Sequence, residues 1–380
     1  MSAPRVTRLR LTDFRSFPEL DAEFEPMLIA LCGENGVGKT NLLEALSLLA
    51  PGRGLRRAPL AEMARIAGSG VFSIVAELDG PLGPALLGTG IEREAGSSNP
   101  TRKTRLNGAP AASSSIFSEH LRLVWMTPAL DGLFNGPPGE RRRFVDRLVL
   151  AIDPGHASRA AALEQALRSR NRLLEEARAD PVWLDAIERQ IAELGIAIAS
   201  ARRETIERLA ALIAARREDA SPFPFAELAL VGETDALIVE HSALEAEDRI
   251  RKALRDTRPR DRAAGRTLTG PQTSDLHVRH GPKGIEAARA STGEQKALLI
   301  GLVLAHAHLV AQMSGMAPLV LLDEVAAHLD PARREALFAV LAGLGGQVFM
   351  TGADQALFGA LPAGARLFNV SPGKVVPASA

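Results

Sequence analysis

The segment Gly33-Glu34-Asn35-Gly36-Val37-Gly38-Lys39-Thr40 constrains this chain more than any other. It fits the pattern G-x-x-x-x-G-K-[ST] in full. The apolar run Met27–Leu31 precedes it, and Asn41-Leu-Leu-Glu-Ala-Leu-Ser-Leu-Leu-Ala50 follows as a helix ended by Pro51-Gly52. Strand, glycine-rich turn and helix, in that order, are the context in which the pattern forms a phosphate-binding loop. Glycines let backbone N–H groups converge on phosphate oxygens, and the helix N-terminus adds partial positive charge. In such a loop Lys39 reaches the β- and γ-phosphates and the Thr40 hydroxyl ligates Mg2+. The candidate ATP-binding residues are therefore Gly33 through Thr40, with Asn41. Only six of the 45 basic residues are lysines, so a lysine at this position is hard to read as accident.

Two further motifs belong with the first. Leu319-Val-Leu-Leu-Asp323-Glu324 reads as a buried strand ending in two carboxylates. Asp323 is placed to hold Mg2+, directly or through water, and Glu324 to orient and polarise an attacking water. Lys39 and Glu324 are the candidate catalytic residues, and Thr40 and Asp323 the candidate metal ligands. Ser291-Thr-Gly293-Glu-Gln295-Lys296 stands directly before an apolar helix. Ser291 and Gly293 are suited to bind a γ-phosphate through a hydroxyl and a backbone N–H. The same residues fit a helix N-cap with Glu294 at the third helical position, and the pattern alone does not choose.

The ends of the chain read as alternating strand and helix. Val6, Leu9 and Leu11 suit one strand. Residues 71–110 suit short strands with turns at Asp79-Gly80, Gly96-Ser-Ser-Asn-Pro100 and Asn107-Gly108, the last a hairpin. After Ser291 the pattern predicts a helix over 298–313, a strand over 318–323, a helix over 331–343 and a strand over 347–351. The middle differs. From Glu140 to about Glu218 it is rich in Ala, Leu, Arg and Glu, strong helix formers. Pro154 and Asp180-Pro181 divide it into three helices. Leu163, Leu167, Arg170 and Leu174, then Ile187, Ile191, Leu194 and Ile198, recur at three- and four-residue spacing, which predicts a helical hairpin. The expected architecture is an α/β P-loop ATPase head built from residues 1–118 and 281–380. Residues 119–280 are expected as an inserted, mostly helical arm with a short antiparallel hairpin.

Lys+Arg and Asp+Glu are equal at 45 each in 380 residues, so attraction to a polyanion must come from local patches. The lone cysteine, Cys32, excludes a disulfide framework and a multi-cysteine zinc site and fits a reducing cytoplasm. Ala297–Leu322 carries no Asp, Glu, Lys or Arg, and about 20 apolar residues can span a bilayer. Yet His306, His308, Gln312, Ser314-Gly315 and Pro318 interrupt it, so the reading is a buried helix, a turn and a buried strand, with no membrane partner.

A P-loop, a Ser-x-Gly-x-Gln signature, an apolar strand ending Asp-Glu, and then Leu329-Asp330 resemble the ABC-type ATPase head. That resemblance implies an ATP-dependent homodimer in which Ser291, Gly293 and Gln295 of one subunit close the nucleotide site of the other, with Asp330 as the D-loop residue. The finer resemblance is to the RecF family of bacterial DNA replication and repair ATPases. It rests on Leu11-Thr-Asp-Phe14-Arg15-Ser16-Phe17, Pro51-Gly-Arg53-Gly-Leu-Arg56, Thr127-Pro128, Asn135-Gly136 through Asp146, Gly265-Arg-Thr-Leu-Thr-Gly270-Pro271 and Gln347-Val-Phe-Met-Thr351. It covers essentially the whole chain. The chain departs from the pattern at Gln272–Asp275, where the family usually has His and a second acid. No Gln lies near Met126-Thr127, and the last strand ends in Thr351 where many ABC heads have a switch His. The resemblance implies a slow, DNA-stimulated ATPase using ATP and Mg2+. It implies binding to gapped or junction DNA and, with RecO and RecR as partners, help in placing RecA.

Charge along the chain supplies DNA candidates. Between Arg249 and Arg266 there are eight basic residues and two acids, and Arg258 and Arg260 are chosen from this run. Arg141 and Arg142 lie in a second cluster. Arg53, Arg56 and Arg57 follow the nucleotide loop. Arginine suits phosphate through its charged, bidentate fork, and a solvated or salt-bridged face is the competing reading of each cluster. Aromatic residues are only 4%, which favours backbone binding to duplex or junction DNA over base stacking. A transporter subunit is disfavoured by the long stretch between Lys39 and Ser291, and a chromosome-organising ATPase of the SMC type by the short helical hairpin.

Overall fold

The structure is a computed structural model that describes residues 3–92, 101–176, 180–216 and 222–378; the turn expected at Gly96–Pro100 lies outside them. The chain starts with β1 (Arg5–Phe14), β2 (Phe17–Glu23), β3 (Leu28–Cys32), α1 (Lys39–Ser47), β4 (Phe72–Asp79), β5 (Ala85–Glu92), β6 (Thr101–Leu106), β7 (Ala109–Ala111) and β8 (Leu123–Met126). The middle holds α2 (Pro138–Ile152), α3 (His156–Glu175), α4 (Pro181–Ala215), β9 (Ala226–Val231), α5 (Glu233–Glu240), α6 (Ala243–Asp256), α7 (Arg258–Ala264), β10 (Asp275–His280) and β11 (Ile285–Glu286). The last part is α8 (Thr292–Ser314), β12 (Leu319–Leu322), α9 (Pro331–Gly343), β13 (Val348–Gly352), β14 (Arg366–Ser371) and β15 (Lys374–Pro377).

These elements form two compact units. The head takes in the described residues of 1–131, 219–224 and 291–380, and the arm those of 132–218 and 225–290. The division falls later than the sequence suggests at both ends. Leu123–Met126 pairs in parallel with β12 and so belongs to the head. Ile285 and Glu286 pair with β10 and so belong to the arm.

Two sheets build the head. One has the order β2-β1-β4-β5-β6-β7, with every pairing antiparallel. Its strands alternate: Phe72, Ile74, Ala76 and Leu78 of β4 are buried and the residues between them less so. Asn107 and Gly108, with φ of 51° and 83°, turn the β6–β7 hairpin, as an Asn-Gly pair permits. The second sheet has the order β15-β14-β3-β13-β12-β8 and is parallel except for its edge strand β15. Strands β3, β8, β12 and β13 are buried along their whole length, the pattern of parallel strands covered on both faces. Side chains from both sheets and from α1 share one apolar core. Helix α8 is long and apolar enough to cross a membrane by length and composition. Most of it is buried inside the head, including Leu298, Leu299, Leu302, Val303 and Val310, so its hydrophobicity serves the core.

In the arm, α3 and α4 form the expected hairpin, and α6 packs against α4. Leu163, Ala166, Ile191, Ile196, Ile198, Ile250 and Leu254 are its apolar centre. Arg170, which the spacing places among those apolar positions, is fully buried. Its guanidinium donates to Glu188 Oε1 at 3.0 Å, Asp261 Oδ2 at 2.8 Å, Thr267 Oγ1 at 2.8 Å and the Leu254 carbonyl at 2.7 Å. A fork with several donors thus ties α3 to α4, α6 and the segment that follows α7. A second knot joins α2, α3 and α4: Arg202 donates to both oxygens of Asp146, at 2.7 and 2.9 Å, and His156 Nε2 lies 2.8 Å from Asp146 Oδ1. Burial raises the Asp146 pKa, but the hydrogen bonds from His156 and Arg202 outweigh it and hold the carboxyl at about 2.

Two stability tests follow from these knots. Arg170→Ala leaves Asp261 buried without its cation and Glu188 with Arg258 alone, and should cost about 3–5 kcal/mol. Arg168→Ala removes an i,i+4 partner of Glu164 whose side chain is 63% exposed and should cost no more than about 0.5 kcal/mol. Chemical denaturation of both variants checks the contrast. Because the Asp146 carboxyl titrates lower when folded, its contribution is present above the ordinary value of 3.8 and fades as pH falls towards about 2. Asp146→Asn should flatten the pH dependence of the denaturation midpoint in that window.

Candidate nucleotide site

The nucleotide loop is shaped by backbone conformations that side chains resist. Gly36 and Gly38 have φ of 87° and 112°, open to glycine at little cost. A Cβ on Gly38 would also stand 2.9 Å from the Phe17 ring. Gly38 leads directly into α1, so the first N–H groups of that helix face the loop. Lys39 is buried, and its Nζ donates to the carbonyls of Gly33 at 2.6 Å and Glu34 at 2.8 Å. The ammonium is therefore curled over the loop, bound to acceptors of the kind that phosphate oxygens supply. Cys32, at the end of β3, is buried, and burial pushes its thiol up to about 11, so it is an unreactive neighbour at neutral pH.

Strand order brings the second motif to the first. β13 lies between β3 and β12, and all three point the same way. The loop after β3 and the carboxylates after β12 therefore emerge at the same edge of the sheet, where ligands gather in open α/β folds. Thr40 Oγ1 lies 3.0 and 3.1 Å from the two oxygens of Asp323. Asp323 N also donates to the Met126 carbonyl of β8 at 2.9 Å. A hydroxyl and a carboxylate are the hard oxygen donors that Mg2+ takes, so the paired residues fit that ion. Glu324 has φ of 52°, a left-handed conformation that costs a non-glycine residue about 1 kcal/mol or more. Its N–H donates to Thr351 Oγ1 at 2.9 Å, and the Thr351 hydroxyl donates to Asp323 Oδ1 at 2.7 Å.

The signature residues lie at the start of α8. Ser291 is its N-cap: the Glu294 N–H donates to Ser291 Oγ at 3.4 Å and the Ser291 N–H to Glu294 Oε2 at 3.0 Å. The capping box is thus present, and Ser291 and Gly293 are also exposed, with open space where a Gly293 Cβ would stand. Gln295 is buried. Asp330 is exposed and caps α9 by accepting from the Arg333 N–H at 2.9 Å.

Three arrangements escape the sequence reading. Glu44, fully buried in α1, accepts a two-pronged contact from Arg15 at 2.7 and 2.8 Å and a third from Arg56 at 3.1 Å. The same arrangement includes Asn41, which accepts from Arg56 at 2.8 Å and donates to Ser16 Oγ at 2.9 Å. Asn41 thus ties the helix after the loop to its neighbours. The signal for Glu44 was a single acid inside Leu42-Leu43-Glu44-Ala45-Leu46. Lys296, buried in the first turns of α8, pairs with Asp131 Oδ2 at 3.1 Å, which anchors the signature helix to the segment after β8. Thr351 is the third.

The arginine candidates for DNA divide. Arg53, Arg57 and Arg260 are exposed. Arg56 is half-exposed and engaged with Asn41 and Glu44. Arg141 makes a bidentate pair with Asp275, both bonds 2.7 Å, and Arg142 donates to the Ser274 carbonyl at 2.7 Å. Arg258 donates to Asp185 and Glu188. For Arg141 and Arg258 the fork that suits phosphate is already filled from within the chain, and Arg142 spends one donor on a backbone carbonyl.

Comparison with known proteins agrees with this geometry. AAA-domain family models match residues 8–59 and 150–351. DNA replication and repair protein RecF of Mesorhizobium japonicum is 53% identical, covering 98% of this chain and 97% of that protein. RecF of Rhizobium etli is 54% identical, covering 97% and 98%. Among solved structures, the recombination mediator protein RecF-ATP in the RecFOR pathway covers 100% of both chains at 21% identity with a TM-score of 0.81. The Smc head domain of Pyrococcus furiosus, at 15% identity and TM-score 0.52, shares the fold and covers 99% and 96%. The head is an ABC-type P-loop ATPase fold, and the chain belongs to the RecF family.

Proposed function

We propose that this chain is an ATP-dependent DNA-binding protein of recombinational repair and replication restart. It acts in the cytoplasm, dimerises on ATP, binds gapped or junction DNA and helps load RecA with RecO and RecR as partners. The observation that carries the ATPase part is the meeting of Thr40 with both oxygens of Asp323, which joins the phosphate loop to the acidic strand end. Family membership supports the DNA part.

In this reading the backbone N–H groups of Gly33–Thr40 and Lys39 Nζ hold the β- and γ-phosphates, whose oxygens replace the carbonyls of Gly33 and Glu34 around the ammonium. Thr40 and Asp323 hold Mg2+, which when bound supplies charge neutralisation on the phosphate oxygens. Glu324 orients the attacking water and takes up its proton. Ser291 and Gly293 of a second copy, exposed at the start of α8, close the site over the γ-phosphate, with Gln295 behind them and Asp330 beside the junction. Arg53, Arg57 and Arg260 are the arginines best placed by exposure to meet DNA phosphates. An SMC-type role is disfavoured, because α4, at 35 residues, spans only about 50 Å.

Lys39→Met should weaken ATP binding by about 10- to 100-fold, the worth of a charged hydrogen-bond donor. Glu324→Gln should bind ATP normally and hydrolyse it about 100-fold more slowly or worse, as expected of a lost general base. Nucleotide titration and single-turnover hydrolysis separate the two, and equal loss of binding in both would contradict these roles. Ser291→Arg should bind nucleotide as wild type but fail to dimerise with ATP in analytical ultracentrifugation; a variant that dimerises normally reduces Ser291 to a helix cap. For duplex DNA, Arg53→Ala, Arg57→Ala and Arg260→Ala should each lower the salt slope of log K by about 0.9, since each arginine neutralises one phosphate. An unchanged slope removes that residue from the interface.

A further inference from the structure

We propose that the Thr351 hydroxyl is a positioning group for ATP hydrolysis, aiming the Asp323 carboxylate and holding the turn that presents Glu324. The proposal rests on the ATPase reading above and concerns a residue that reading does not use. Thr351 is 1% exposed and stands next to last in β13, between the strand that enters the nucleotide loop and the strand that ends at Asp323. Met350 pairs with Leu322, which puts Thr351 level with Asp323, and on its other side Thr351 pairs with Leu31, two residues before the nucleotide loop.

The direction of its bonds is fixed by chemistry. A backbone N–H can only donate, so the Thr351 oxygen must accept from Glu324 N at 2.9 Å. The single hydroxyl hydrogen then goes to Asp323 Oδ1 at 2.7 Å. One side chain thus fixes the rotation of the Asp323 carboxylate against Thr40 and anchors the left-handed backbone of Glu324. Among the described residues, no side-chain hydrogen bond links Thr351 to Lys39 or to residues 33–38. Removing its hydroxyl should therefore affect hydrolysis and the response to Mg2+, and should spare nucleotide binding at saturating Mg2+.

The test uses the full chain and the variants Thr351→Val, which keeps the volume and removes the hydroxyl, and Thr351→Ser, which keeps the hydroxyl. Three quantities are measured: the ATP Kd at saturating Mg2+ by fluorescent-nucleotide titration, the Mg2+ concentration for half-maximal nucleotide binding, and the single-turnover hydrolysis rate. Thr351→Val should hydrolyse at least tenfold more slowly and need at least threefold more Mg2+, with its saturated Kd within threefold of wild type. Thr351→Ser should stay within threefold on all three. Hydrolysis by Thr351→Val within threefold of wild type overturns the proposal. So does a Thr351→Ser variant as impaired as Thr351→Val, because packing and not the hydroxyl would then matter. Should Thr351→Val fail to fold, the ratio between Thr351→Ser and Thr351→Ala isolates the same hydroxyl. Failure of the ATPase reading itself would look different: wild type and Lys39→Met would then bind ATP equally poorly.

Discussion

The contact between Thr40 and Asp323 spans 283 positions of sequence, and the rest of the head is arranged to allow it. Asp323 directly follows the buried strand β12, Thr40 follows the buried strand β3 by way of the nucleotide loop, and the two strands are separated by one other, β13. Parallel neighbours cannot be joined by a tight turn, so the chain must leave the sheet and return between them. Here one of those excursions contains the whole arm. The arm can differ in composition from the head because the sheet depends only on where the chain departs and where it re-enters. Asp323 N meets the Met126 carbonyl on the departing side, and Thr351 meets Asp323 on the returning side. The carboxylate is thereby referenced to three strands at once.

The head and the arm solve the burial of charge in the same way. Glu44 in the head and Glu188 in the arm are both fully buried, and each is met by two arginines: Arg15 and Arg56 in one case, Arg170 and Arg258 in the other. Taking a carboxylate out of water costs several kcal/mol, and a single neighbouring charge repays this only with good geometry. Two guanidiniums supply enough donors to satisfy both oxygens. A misregistered helix would leave one of these charges bare inside, at the cost of an uncompensated buried ion.

Much of the head was legible because its signals are local. The nucleotide loop, the Asn107-Gly108 hairpin and the bounds of α9 at 331–343 depend on residues adjacent in sequence, and the structure has them where the pattern predicts. The limits of the arm were less legible. Nothing in Leu123-Val-Trp-Met126 distinguishes a head strand from an arm strand; its partner β12 begins nearly 200 residues later. Thr351 was visible only as a departure from the switch His of other ABC heads. Its meaning came from two bonds to residues on a different strand.

The arginine clusters show most clearly what sequence charge can and cannot tell. Arg258 and Arg260 stand two positions apart in one basic run, yet one is bound to Asp185 and Glu188 while the other is exposed. On a helix, residues two apart point to different sides, so a run of like charge cannot all face one ligand. The carboxylates that claim Arg258 lie on α4, about 70 residues earlier, and no local count of charge registers them. In a chain whose cations are nearly all arginine, a fork suited to phosphate is equally suited to a nearby carboxylate. Which of the two it meets is decided by tertiary packing: where helices bring acids inward, the arginine becomes structural, and local sequence charge alone does not register the difference.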